Sequence, residues 1–162
     1  MKRLMLKAMA ILMMGTILSA CGGKGENRKL KEAATIHAAF MQQYDSTYSA
    51  LQSEKTKVEE LLSTTQPSNE NFKAYESMQR SIDKSLNLLK SWEEAVVGVP
   101  GMEHVHINAP HSHDHAKDDI AANMSDTEVL ELQKAYQTRL NEVTKEIKNL
   151  LDTIKMYQTS AK

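Results

Sequence analysis

The chain has 162 residues, with 20 Lys or Arg against 21 Asp or Glu, a formal charge of −1. That balance gives no electrostatic reason to expect a nucleic-acid partner. The single cysteine excludes intrachain disulfides and multi-cysteine zinc sites, and the six glycines and three prolines are few and clustered, which favours long helices.

The first twenty residues read as a secretory signal. Lys2, Arg3 and Lys7 give a basic start, and Ala8 to Leu18 is almost wholly apolar. The stretch is too short for a comfortable membrane span and ends in small residues. Its close, Leu18-Ser19-Ala20-Cys21, resembles the lipobox of bacterial lipoproteins. The resemblance implies that Cys21 takes a diacylglycerol, that residues 1–20 are removed, and that the mature chain starts at Cys21. It also implies more than one acyl chain, because a single chain holds a protein to a membrane only marginally. Removal leaves 142 residues, enough for one domain with a core. The charge falls to −4 as three basic residues leave and the new amino terminus is acylated. No second apolar stretch is long enough to span a bilayer, so the lipid is the expected anchor. Gly22 follows Cys21, which leans towards the outer membrane. Glu26 is the lone acid near Lys24, which favours the periplasmic face over surface display.

Residues 21–28 are expected to form a flexible tether, and 29–162 a helical domain. From Lys29 to Leu62, Leu30, His37, Tyr44, Leu51 and Val58 fall seven apart, with Ala34, Met41, Tyr48, Lys55 and Leu62 four later. The segment 63–69 breaks this helix. A second helix is predicted from Glu70 to Val97, capped by Ser68 or Asn69, with Tyr75, Ile82, Leu89 and Val96 as its row and Phe72, Met78, Leu86 and Trp92 widening it. Gly98-Val99-Pro100-Gly101 stops it. A third helix starts at Ser125, where Ser125-Asp126-Thr127-Glu128 is a capping box. Its rows are Val129, Tyr136, Val143, Leu150 and Tyr157, and Leu140, Ile147 and Ile154. Gln133 is a polar gap in the second row that Leu132 is expected to cover. The fold class expected is all-α: an antiparallel, coiled-coil-like three-helix bundle with a long loop, 98–124, between helices two and three. No phosphate-binding glycine loop and no alternating strand pattern is present.

That loop holds five of the six histidines: His104, His106, His111, His113 and His115, with Asp114, Asp118 and Asp119 among them. Neutral imidazole suits zinc, nickel and copper, and carboxylates complete a shell. Residues two apart in extended chain face one side, so His104 pairs with His106, and His111, His113 and His115 form a triplet. The lack of thiolates favours Zn(II), Ni(II) or Cu(II), with Met102 and Met124 a weaker argument for Cu(I). The tract resembles, in composition, the loops of periplasmic zinc-binding proteins and nickel chaperones. The spacing matches no closed structural site, and a loop loses conformational entropy on wrapping an ion. Modest affinity and rapid exchange are therefore expected, with release on acidification as the imidazoles protonate near pH ~6.5. His37, in the first helix, reads as a satisfied core or boundary histidine.

Three patches carry a further resemblance: Ile36 to Met41, Leu86 to Trp92, and Asp126 to Ile154. In these the chain resembles small helical lipoproteins of Bacteroidetes, some labelled viral A-type inclusion protein. Such proteins place a Met-Trp-Met-like element before a loop and a final long helix; here Trp92 lacks the flanking methionines. The resemblance implies the helical fold and the envelope location, and brings no catalytic residues.

Two functions fit. One is an envelope lipoprotein that binds divalent metal through the histidine loop for buffering, sensing or delivery. The alternative is a non-enzymatic structural or interaction lipoprotein, binding another envelope protein or itself, with an incidental polar loop. An enzyme is not expected, since a catalytic zinc needs three fixed ligands and an open position.

Overall fold

In the computed structural model, which describes residues 23–101 and 118–160 and side chains within 28–101 and 120–159, the chain is all-helical. Four helices pack together: α1 (Gly23–Thr64), α2 (Glu70–Ala95), α3 (Asp118–Ala122) and α4 (Asp126–Ser160). No strand occurs among the described residues.

The helix ends follow local chemistry. After α1, Pro67 sits second in a turn closed by the Asn69 N–H on the Gln66 carbonyl at 2.9 Å. Asn69 then caps α2, its side chain accepting from the Asn71 N–H at 2.9 Å. At α4 the capping box forms in both directions. The Ser125 N–H donates to Glu128 Oε2 at 2.8 Å, and the Glu128 N–H reaches Ser125 Oγ at 3.4 Å. The Ser125 hydroxyl also donates to Glu128, and these bonds hold that carboxyl below the usual range. Beyond α2, Gly101 adopts φ +77°, a conformation that suits glycine and strains any other residue.

Hydrogen bonds between helices fix direction and register. Lys55 meets Asp83 and Tyr44 meets Glu93, so α2 runs against α1. His37 meets Gln133, Gln43 meets Asn141, and Gln158 meets Glu54, so α4 runs along α1 in the same direction. α1 touches both long neighbours, which meet each other more narrowly.

Burial follows the seven-residue rows, with one shift. His37, Tyr44, Leu51 and Val58 are buried, as are Tyr75, Ile82 and Leu89, and Leu140, Ile147 and Ile154. In α1, however, the second row is not only the one through Ala34, Met41, Tyr48, Lys55 and Leu62. Ala33 and Phe40 are completely buried and Glu54 nearly so. The reason is that α1 serves two partners. Tyr48 and Lys55 flank the α2 side, where Lys55 pairs with Asp83, while Ala33 and Glu54 face α4. Phe40 lies between both, its ring 5.4 Å from Trp92 and 6.4 Å from Tyr136. Full burial of such a side chain stabilises by about 1.5–3 kcal/mol.

Three expectations need correction. The stretch read as a flexible tether up to Arg28 is helical from Gly23, because each residue added to an existing helix gains a hydrogen bond without a new nucleation cost. The second helix ends at Ala95 rather than Val97, and Val97 and Val99 are buried beyond it. The span 98–124 includes α3.

Candidate functional site

The signal residues, Cys21, His104, His106, His111, His113, Asp114 and His115 lie outside the described residues. Asp118 and Asp119 open α3, where their backbone is described. Among the described residues no group of three or more His, Cys, Asp or Glu is placed to hold a metal. No helix among them is long and apolar enough to cross a membrane.

The structure does describe the two flanks of the histidine segment. Val99 on one side and Met124 on the other pack into one apolar cluster with Ala33, Val129 and Leu130, beside Leu30 and Ile36. Both flanks therefore sit on the first third of α1, the end that begins two residues after Cys21. From Gly23 to Ala33 is about 15 Å along a helix.

A buried polar chain braces the first flank. Gln133 is completely buried; its Nε2 donates to the Val97 carbonyl at 3.0 Å. A carbonyl only accepts, so the amide nitrogen must face Val97 and the amide oxygen must face His37. His37 Nδ1 lies 3.0 Å from that oxygen, which makes Nδ1 the protonated nitrogen donating to it. His37 is 7% exposed and stands edge-on to Phe40 at 4.8 Å between ring centres. The expectation that Leu132 covers the gap at Gln133 is thus corrected. Gln133 itself points inward because two polar partners wait for it, while Leu132 is half-buried. The signal was in the sequence: Gln133 lies seven before Leu140, in register with Ile147 and Ile154.

A second polar site lies one to two turns further along α1. The Tyr44 hydroxyl donates to Glu93 Oε2 at 3.3 Å, and both residues are buried. Burial, then the neighbouring carboxylate, raises the Tyr44 hydroxyl pKa far above the ordinary tyrosine value. Tyr44 stacks between Trp92, at 5.8 Å, and Tyr48, at 5.9 Å. Trp92 donates to the Tyr136 carbonyl at 3.3 Å, and the Tyr136 hydroxyl donates to the Ala95 carbonyl at 2.9 Å. The aromatic group thus ties the last turn of α2 to α4, just ahead of Val97. Burial also raises Tyr136. Glu93 escaped the apolar pattern, although a tyrosine in a core row calls for a buried polar partner. A third polar contact, Gln158 Nε2 to the buried Glu54 at 2.7 Å, with Lys57 at 3.0 Å, closes the far end of α1 and α4.

Chemically, these groups are paired and enclosed. They hold helices in register and anchor the segment entered through Val97, and no nucleophile stands beside a base. Compared with protein-family models, with curated proteins and with solved structures, the chain gives no match.

Proposed function

We propose that the protein is a non-enzymatic, lipid-anchored envelope protein whose histidine segment binds Zn(II), Ni(II) or Cu(II) for buffering, sensing or delivery. In this reading the long helices form an antiparallel three-helix bundle with coiled-coil-like packing, and the bundle is the scaffold. Cys21 carries the lipid, and the protein sits at the outer membrane on its periplasmic face. His104, His106, His111, His113 and His115 are the ligands, with Asp114, Asp118 and Asp119 auxiliary.

The observation that carries the reading is the concentration of five imidazoles in 12 consecutive positions without a competing thiolate. The anchored flanks support it. Val99 and Met124 share one apolar cluster, so chain closure is already met by the fold, and a metal need order only what lies between. The same cluster lies near the start of α1, which in this reading sets metal capture close to the membrane surface.

Replacing all five histidines by alanine tests the division of labour. Helix content and melting temperature should stay within experimental error, because none of the five belongs to the described core, while growth under metal excess or starvation should change. An unaltered growth response with intact folding would leave the bundle surface as the working part. In the same strain, Cys21→Ser should move the protein out of the membrane fraction.

A further inference from the structure

A groove of about 470 Å³ runs between the middle of α1 and the C-terminal half of α4, away from the polar chain described above. Thr47 and Ala50 form its α1 wall, and Ile147 with the half-buried Leu151 forms an apolar floor. Along the α4 wall stand Lys145, Lys148 and Lys155, all exposed. Asp152 is the one acid in the lining.

The three lysines differ from many other cations of the surface. Lys55, Lys57, Lys90, Lys134 and Arg139 each have a carboxylate within 4 Å. Lys145, Lys148 and Lys155 have no such partner among the described residues. They repeat at helical spacing, three and then seven residues apart, so three like charges share one stripe about 15 Å long. In a chain whose net charge is −1, this is a local concentration of unpaired positive charge beside an apolar strip.

From this juxtaposition we propose that the groove receives an acidic amphipathic helix of a partner protein. The apolar face of such a helix lies on Ile147 and Leu151, which are one turn apart. Its flanking Glu or Asp residues meet the lysine stripe. The small side chains of Ala50 and Thr47 let the two helices approach closely, as in helix-in-groove recognition. A phosphate polymer would satisfy the lysines and leave the floor without a partner, so an amphipathic peptide is the better complement.

The test is fluorescence anisotropy of the full chain in detergent with a labelled designed helix of about 18 residues, Leu on one stripe and Glu on its flanks. Saturable binding is expected, weakening by roughly tenfold between about 50 mM and about 500 mM salt as exposed charges are screened. The variant Lys145→Gln/Lys148→Gln/Lys155→Gln should bind roughly tenfold or more weakly, and Asp152→Lys roughly threefold more tightly. All four positions are exposed, so unchanged melting curves separate lost binding from lost folding. The proposal is overturned by absence of saturable binding, by equal binding of the triple variant, or by equal binding of a control helix with Lys in place of Glu. It is also overturned if phosphatidylglycerol vesicles bind through these lysines while the peptide does not.

Discussion

Gln133→Leu is the substitution whose outcome the structure sets most sharply. Leucine matches the volume and the helical row, and pattern alone would call the change stabilising. The geometry says otherwise. It strips the Val97 carbonyl and the His37 Nδ1–H of their partner at once, both contacts being 3.0 Å and inside the core. An unpaired buried polar group costs about 1–3 kcal/mol, and the gain from burying leucine offsets part of the two. The net expectation is a loss of about 1–3 kcal/mol, a fall in Tm of roughly 3–10 °C. Urea unfolding followed by circular dichroism measures it. Removing the histidine as well should recover part of the loss. The double variant His37→Leu/Gln133→Leu should be more stable than the sum of the singles by about 1–2 kcal/mol. A Gln133→Leu protein as stable as the parent, or strictly additive singles, would refute the polar chain.

Two further outcomes follow from the core. Phe40→Ala should cost about 3–5 kcal/mol in the same assay, against less than about 0.5 kcal/mol for the exposed neighbour Ala39→Ser; equal effects would contradict the placement of Phe40 between α2 and α4. For Tyr44, the folded pKa is raised above the unfolded one, so its contribution is fully present below pH ~10 and is lost as pH rises beyond it. Stability should decline above that pH in the parent and more gently in Tyr44→Phe; parallel alkaline profiles would remove Tyr44 as the cause.

The sequence made the helices legible because their ends carry chemistry that acts locally. Asn69 and the Ser125–Glu128 box stand where the caps form. The rows through Tyr44, Ile82 and Ile147 were legible because burial repeats every seven residues. What pattern missed depends on partners far along the chain. Phe40 is deep because α1 has a neighbour on each side, a fact that the spacing within α1 does not encode. Gln133 and Glu93 break the apolar rule because the Val97 carbonyl, His37 and Tyr44 supply their hydrogen bonds from other elements. The histidine segment is legible as chemistry, since ligand type can be read from residue identity, while its ligand geometry lies outside what apolar rows and caps encode.

The central claim concerns metal, and calorimetric titration of the mature protein with Zn(II), Ni(II) and Cu(II) at pH 7.5, repeated at pH 5.5, tests it most directly. The account predicts saturable binding at micromolar or tighter affinity to a defined number of sites, weaker at the lower pH as protons compete for imidazole, and abolished in the five-histidine variant. Weak unsaturable heats, or affinity unchanged by pH and by loss of the histidines, would contradict it.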